Sequence, residues 1–335
     1  MPEQKQSSLR AKTKSLTADT PPLQGPADSA RRRRYSRSSS DAPLVSLTPT
    51  KVKMLLFLAE MRFLSLPQIA RLCCPAERRD LSEKSARRQM RALFDAGLVD
   101  VLPVSRAALA PTEAPNDASL LYGSAPNVYT LAAAGLDALY KAGLRDKQAK
   151  GRSKPTYGPK NSLFLAHELA VRDVRVWLEE VAWANAYELE AWRDGEEAII
   201  DLARTQAPYQ VRPDAWFVLR LPKAVLVSLV EVDRGTERGD RHWREKLTAY
   251  EALFVSGRLP DVTGYVNARV LVITPNDRRR DNLAAVVEDF GGMPAAKFWL
   301  AQVSVLERPG LIYPQWRRQP SLPLQPLVPL NAMPR

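Results

Sequence analysis

The chain has 335 residues, 45% of them hydrophobic, which is enough for two domains of ordinary size. No run of about 20 uncharged apolar residues occurs, and the N-terminus is polar and basic. We therefore expect no membrane span and no secretory signal. A cytoplasmic location follows from this expectation. The net charge is +12, and residues 1–150 hold 24 Lys and Arg against 14 Asp and Glu. This asymmetry indicates a polyanionic partner, and double-stranded DNA is the first candidate. We therefore expect association with a nucleoid or plasmid.

Residues 1–43 are rich in Ser, Pro, Lys and Arg and contain the run RRRRYSRSSS. Such a composition cannot bury enough apolar surface to order itself, so we predict a disordered basic arm. Two interpretations of the run stay open. Either Arg31, Arg32, Arg33 and Arg34 make sequence-independent contacts to DNA phosphates, or they belong to a solvated tail.

Residues 44–142 follow the order of a winged helix, with three helices and then a strand pair. Each predicted helix has a Ser or Thr that can cap it: Thr48, with Pro49 next, for a helix to about Met61; Ser65 for one to about Cys73; and Ser82 for one to about Ala96. Gly97 fits the left-handed position after the third helix. Strands are predicted at 98–104 and 127–131 around a long wing loop, and a short helix is predicted at 132–142.

The third predicted helix has an apolar side and a basic side. Its inward stripe is Ala86, Met90, Leu93 and Phe94. The basic residues that we assign to DNA are Lys84, Arg87, Arg88 and Arg91. A basic third helix suits the major groove of DNA, although exposed arginines are also ordinary on a solvated helix face.

Residues 143–160 are charged and contain Gly and Pro, which predicts a linker. The apolar patterns of residues 161–306 predict the element order α-β-β-β-α-β-α-β. This order indicates a mixed sheet flanked by helices, and it assigns the chain to the α+β and α/β classes. The elements are expected at 162–184, 187–192, 213–221, 225–233, 240–255, 269–274, 278–290 and 298–306. Residues 307–335 are Pro-rich and predict an extended tail that is packed on the domain or free.

Carboxylates are predicted to meet at one end of a strand pair. Asp214 begins the strand before a tight turn, and Glu231 and Asp233 end the strand after it. Residues two apart on a strand share a face, and the outer ends of a hairpin lie side by side. Asp214 and Glu231, with or without Asp233, would suit Mg²⁺, which polarises a scissile phosphate and supplies a bound hydroxide.

The residues Pro213-Asp214 and Glu231-Val232-Asp233 resemble the PD-(D/E)XK, or restriction-endonuclease-like, fold. The resemblance implies a catalytic lysine at the last position of the second half-motif, where this chain has Asp233. Lys246 lies on the next predicted helix, at a position that faces the sheet edge, and is the candidate replacement.

The first helix of the sheet region carries two further candidates. The resemblance implies an additional acid there, and Glu168 is placed to fill that role. His167, beside it, would bind phosphate or order a water, or else be an ordinary hydrogen-bonded structural residue. A catalytically inactive alternative also stays open, in which the carboxylates form an ion network with Arg212, Arg234 and Lys246.

The chain as a whole resembles the replication-relaxation family of bacterial plasmids and integrative elements. The segments that carry this resemblance, across about 45–290, are LTPTKVKMLLFLAEMRFLSLPQIARL, NVYTLAAAGLDAL, HELAVRDVRV, RPDAWFVL and VEVDRGTERGDRHWREKLTAY. The resemblance implies plasmid replication or DNA relaxation, a DNA-binding front half and a nuclease-like back half. Three hypotheses follow: a Mg²⁺-dependent endonuclease, a non-catalytic replication or transcription factor, and a scaffold for replication or mobilisation proteins, with a homodimer as an open alternative to a monomer.

Overall fold

The computed structural model describes residues 37, 45–74, 79–102, 104, 125–146, 162–202, 210–235, 239–308 and 310–328. The expected basic arm, including Arg31, Arg32, Arg33 and Arg34, lies outside the described residues apart from Arg37. Most of the expected wing loop and linker also lie outside them. The described helices and strands belong to one compact unit that spans residues 41–335. Below, the helical module is the described part of 45–146, and the sheet module is the described part of 162–328.

The helical module contains four helices and a small sheet. In chain order its elements are α1 (Pro49–Met61), β1 (Phe63–Ser65), α2 (Leu66–Cys73), α3 (Arg79–Asp95), β2 (Val99–Leu102), β3 (Val128–Leu131) and α4 (Ala133–Lys141). The predicted caps Thr48 and Ser65 each accept a hydrogen bond from the third residue after them, and Gly97 has the expected positive φ of 72°. Strand β3 pairs antiparallel with β1 and β2, and β1 was not predicted.

One predicted cap is wrong. Helix α3 is already formed at Arg79, so Ser82 lies inside it and does not cap it. The Ser82 hydroxyl instead donates to the carbonyls of Ala70 and Cys74, at 3.0 and 2.5 Å, and thereby fastens α3 to the end of α2. The predicted inward stripe of α3 is buried, as expected, at Ala86, Met90, Leu93 and Phe94.

The sheet module follows the predicted order of helices and strands. Its main elements are α5 (Ser162–Asn185), β4 (Glu188–Asp194), β7 (Ala215–Leu221), β8 (Ala224–Val232), α6 (Arg241–Ser256), β9 (Arg269–Thr274), α8 (Asp277–Phe290) and β10 (Phe298–Gln302). Short elements that were not predicted are β5 (Ile200–Asp201), β6 (Gln210–Val211), α7 (Leu259–Thr263) and α9 (Gly292–Lys297). The last strand is shorter than expected, because residues Val303–Glu307 form a 3₁₀ turn.

The main sheet has five strands in the order β10-β9-β8-β7-β4. Strands β4, β7 and β8 are antiparallel neighbours, whereas β8, β9 and β10 are parallel. One face packs against α5, and the other packs against α6 and α8. Part of the Pro-rich tail packs on the first of these cores, where Trp316, Leu327 and Val328 are buried. No helix among the described residues is long and apolar enough to cross a bilayer.

Helix α5 is buried on two sides. Val174, Trp177 and Val181 face the main sheet, whereas Val176 packs into the core of the helical module. A helix that is apolar around most of its circumference is stable only when it is covered by neighbours on both sides. The two modules are therefore packed directly against each other through α5.

Polar contacts reinforce this boundary. Arg172 of α5 is fully buried and donates to the Met61 carbonyl at 2.9 Å, to Asp194 at 3.1 Å and to Glu168 at 3.3 Å. Arg62, which ends α1, pairs with Glu168 at 2.8 Å and with Asp194 at 3.5 Å. Two guanidinium groups thus share two carboxylates that come from different parts of the sheet module.

We predict that Arg172→Met lowers the free energy of unfolding by about 3 kcal/mol, because it leaves buried carboxylates short of a partner. The matched control is Arg244→Met, whose exposed pair with Asp289 we expect to contribute at most about 1 kcal/mol. Urea unfolding of both variants measures the difference. An equal loss in the two variants would show that the buried network does not hold the modules together.

Candidate functional site

The register of the β7–β8 hairpin places Asp214 beside the end of β8. Ala215 pairs with Val230, and the Asp214 backbone N–H donates to the Val230 carbonyl at 3.0 Å. The Asp214 side chain then reaches along the strand end, and its Oδ2 accepts the Val232 N–H at 2.7 Å. Asp214 therefore lies beside the carboxyl end of β8, as the sequence predicted.

His167 of α5 is the second partner of Asp214. Its Nε2 lies 2.9 Å from Asp214 Oδ1, and both side chains are largely covered. Burial alone would lower the pKa of His167, but the hydrogen bond and charge of Asp214, with the nearby charge of Glu168, raise it above its ordinary 6.5. Burial alone would raise the pKa of Asp214, but the hydrogen bond and charge of His167, the charge of Lys246 and the Val232 N–H lower it.

Glu231 is buried on the opposite face of β8, toward α6. Its Oε2 accepts from Lys246 Nζ at 2.6 Å, and its Oε1 accepts from the Tyr250 hydroxyl at 2.6 Å. Burial raises the pKa of Glu231, and the charge of Asp214 adds to this rise, while Lys246 opposes it. Lys246 Nζ also lies 5.2 Å from the centre of the Trp243 ring.

Lys246 thus faces the sheet edge, where its Nζ contacts Glu231. The sequence analysis missed the polar role of Tyr250. The signal that would have found its polar role is its spacing from Lys246, since residues four apart on a helix lie on the same face. Burial, together with the charge and hydrogen bond of Glu231, raises the pKa of Tyr250 well above its ordinary value.

Asp233, which the sequence left as an optional third carboxylate of the cluster, contacts other partners. Asp233 directly follows the last residue of β8. Its Oδ2 accepts a hydrogen bond from Arg279 Nε of α8 at 2.7 Å, and its Oδ1 accepts one from the Gly235 N–H at 2.6 Å. Strand β8 ends at Val232, and the Asp233 backbone N–H still donates to the Ile273 carbonyl of β9 at 2.8 Å. The Asp233 carboxylate is therefore held toward α8 by Arg279, whereas Glu231 contacts α6. Arg212, which the inactive alternative pairs with these carboxylates, donates to Gln210.

Glu168 lies next to the candidate site and not in it. Its carboxylate pairs with Arg62 and Arg172 at the boundary of the two modules. Its charge still contributes to the raised pKa of His167. The structure therefore places Glu168 where it connects the buried ion network with the His167–Asp214 pair.

The donor chemistry of Asp214 and Glu231 fits Mg²⁺, which is commonly held by one or two carboxylates and keeps several waters. Among the described residues, no group of three or more His, Cys, Asp or Glu side chains is placed to hold a metal ion. All four oxygens of the two carboxylates already accept a hydrogen bond, from His167, Val232, Lys246 and Tyr250. Each of these oxygens keeps a second lone pair, so a cation would share the carboxylates with these donors.

The basic side of α3 is exposed, as predicted. Arg87 and Arg88 are exposed, whereas Arg91 is half-covered and pairs with Asp95 four residues later at 2.8 Å. Lys84 lies 3.7 Å from Asp80. Lys84, Arg87 and Arg88 are thus the exposed basic residues among those assigned to DNA on this helix.

The family model for replication-relaxation proteins matches residues 55–268, which is more than half of the chain. The chain belongs to the replication-relaxation family. The match spans α3, His167, Asp214, Glu231 and Lys246. No curated protein and no solved structure matches this replication-relaxation protein significantly.

We predict that the His167 ring of this replication-relaxation protein titrates above pH 6.5, and that Asp214→Asn brings the midpoint below that value. The reason is that the variant removes the carboxylate but keeps the burial. Since the chain has two histidines, NMR titration of the ring signals with His242→Gln as the assignment control measures it directly. An unchanged midpoint in Asp214→Asn would contradict the His167–Asp214 pair.

Proposed function

We propose that this protein binds double-stranded DNA during replication or relaxation of a plasmid or mobile element, and that its sheet module nicks or cleaves DNA with Mg²⁺. The observation that carries the catalytic part is the contact between Lys246 and Glu231, beside Asp214. It brings a lysine and two acids together although the lysine is missing from its usual place in the motif.

The order of the helical module supports DNA binding. Helices α1 to α3 are followed by the antiparallel pair β2–β3, which is the order of a winged helix. In such modules the third helix enters the major groove. Helix α3 presents Arg87 and Arg88 to solvent, so its charge is available to DNA phosphates or bases.

The order of the sheet module supports a nuclease-type fold. Helix α5, the antiparallel strands β4, β7 and β8, helix α6 and the parallel strand β9 follow one another as in the restriction-endonuclease-like core. Asp214 precedes β7 and Glu231 lies on β8, which are the positions of the two acids in that core. Fold alone does not assign a reaction, so the catalytic proposal depends on the side chains.

The proposed chemistry is hydrolysis of a phosphodiester bond. Asp214 and Glu231 would hold Mg²⁺, which when bound polarises a phosphate oxygen and lowers the pKa of water. Lys246 Nζ would stabilise the negative charge that develops on the phosphate. His167, with its raised pKa, holds a proton near Asp214 and would donate it to the departing oxygen or bind a flanking phosphate.

A second, non-catalytic function is favoured by a specific observation. Every oxygen of Asp214 and Glu231 accepts a hydrogen bond from the protein, and Asp233 is paired with Arg279. A cluster whose carboxylates are all paired within the chain itself can be purely structural. On this alternative the protein is a DNA-binding factor whose sheet module contacts replication or mobilisation proteins or a second copy of the chain.

We predict that the wild-type protein nicks supercoiled plasmid with Mg²⁺, and that Asp214→Asn, Glu231→Gln and Lys246→Gln each lower the rate at least about 100-fold. The matched control is Asp233→Asn, because this carboxylate contacts Arg279 and not the site; its rate should stay within about threefold. Gel quantification of nicked plasmid over time measures the rates, and thermal melting checks that each variant is folded.

Two outcomes would overturn the catalytic proposal. Equal nicking by the wild type and the three site variants would show that the activity does not come from this site. No nicking by any of them with Mg²⁺ or Mn²⁺, on supercoiled and single-stranded DNA, would favour the non-catalytic alternative.

We also predict that Arg87→Ala/Arg88→Ala/Arg91→Ala weakens duplex binding and flattens its dependence on salt. The slope of log K against log salt should fall in magnitude by up to about 2.7, since each lost phosphate contact removes about 0.9. The matched control is Arg193→Ala/Arg220→Ala/Lys223→Ala, in which exposed charges of the sheet module are removed. Fluorescence anisotropy at several salt concentrations measures both, and equal slopes would show that α3 does not contact DNA.

A further inference from the structure

A basic cavity lies at the end of the main sheet opposite to the candidate site. It has a volume of about 360 Å³, and it is lined by residues at the amino ends of the parallel strands β8, β9 and β10. Small-molecule sites are commonly about 300–1,000 Å³, so its size admits an ordered ligand. Glu231 lies near the other end of β8, four to six residues away from Val225 to Val227, which is roughly 13–20 Å along the strand.

Three cationic side chains line this cavity. They are Arg269 at the start of β9, Lys297 before β10, and Arg318 of the Pro-rich tail. The guanidinium carbons of Arg269 and Arg318 lie 4.5 and 5.0 Å from the centre of the Trp299 ring, so this ring holds both guanidinium groups. Burial, followed by the charge of Arg318, lowers the pKa of Arg269.

The charges of this cluster are not balanced by carboxylates. In the part of the chain that the structure describes, none of the three forms an ion pair with Asp or Glu, and none of the cavity-lining residues is acidic. The contacts of the three within the protein are to neutral oxygens: Arg269 to the Leu327 carbonyl, Lys297 to Asn267, and Arg318 Nη2 to the Ala296 carbonyl at 3.5 Å. Other arginines of the same module do have acidic partners, among them Arg279, Arg280 and Arg317.

One buried nitrogen in the cluster has no hydrogen-bond partner within the described part of the chain. Arg318 Nε is buried and has no hydrogen-bond acceptor among the described residues. Leaving a buried charged donor unsatisfied is costly, whereas an anion that accepts from Nε and an Nη of the same guanidinium would satisfy it in the fork geometry that arginine prefers. Concentrated positive charge of this kind has a phosphate group as its natural complement.

We propose that this cavity binds a phosphate group through Arg318, Lys297 and Arg269. The ligand is a phosphate monoester or diester, which is either a backbone phosphate of DNA or a phosphorylated small molecule. The tail contributes Arg318 directly, so occupancy also holds the segment around Trp316 against β10, where Arg317 pairs with Leu300. The proposal does not depend on nuclease activity of the candidate site.

The test is calorimetric titration of the full-length protein with inorganic pyrophosphate. We expect one saturable site in the wild type, and at least about tenfold weaker binding in Arg318→Gln and in Lys297→Gln, since each variant removes a charged donor. The affinity of Arg318→Lys for pyrophosphate should lie between that of these variants and that of the wild type. This variant keeps the charge but loses the two parallel donors of the guanidinium group. The matched control is Arg241→Gln, which removes one exposed charge of the same module and should bind as the wild type does.

The proposal is overturned if pyrophosphate binds the wild type and all variants equally, if the control is weakened as much as Arg318→Gln, or if no saturable binding occurs. Thermal melting with and without pyrophosphate guards against a folding defect, since a folded variant that lacks the site should lose the stabilisation by ligand. Binding of duplex DNA by the same variants then shows whether the phosphate group comes from DNA or from a small molecule. A salt slope reduced by about 1 in each identifies DNA, and an unchanged slope identifies a phosphorylated small molecule.

Discussion

Burial of helix α5 on two sides is the constraint on which the rest of the structure depends. Val174, Trp177 and Val181 cover one face of the main sheet, and Val176 completes the core of the helical module. Fully buried Arg172 crosses the boundary to the Met61 carbonyl and to carboxylates of the sheet module. A single helix therefore holds both modules in place. Arg62 has a φ of +70°, and its ion pairs with Glu168 and Asp194 keep it in this unfavourable conformation.

The candidate site depends on the same helix. His167 lies one turn before Arg172 on α5, and it reaches Asp214 at the start of β7, while α6 brings Lys246 and Tyr250 to Glu231. The site thus combines side chains from two helices on opposite faces of the sheet with the ends of two neighbouring strands. Glu168 connects this group electrostatically with the module boundary, because its charge acts on His167 while its oxygen pairs with Arg62 and Arg172. A shift of α5 against the sheet would therefore change the protonation of His167.

Most elements and part of the site could be predicted from sequence, because local signals determine them. Caps at Thr48 and Ser65, Gly97 at a helix end and the β7–β8 hairpin each rest on neighbours in the chain. The orientation of Lys246 toward the sheet edge followed from helical periodicity. The sequence left the role of Asp233 open, because its partner Arg279 is distant in the chain. The module boundary and the cavity of Arg318 rest on long-range packing, for which one sequence carries no signal.

The most direct test of this account follows the unfolding of the two modules separately. All seven tryptophans lie between residues 177 and 316, so their fluorescence reports on the sheet module, whereas the buried thiols of Cys73 and Cys74 report on the helical module. If α5 joins the modules into one cooperative unit, the urea midpoints from tryptophan fluorescence and from thiol labelling coincide. Two separate midpoints, with the thiols exposed while the tryptophan signal stays native, would contradict the account.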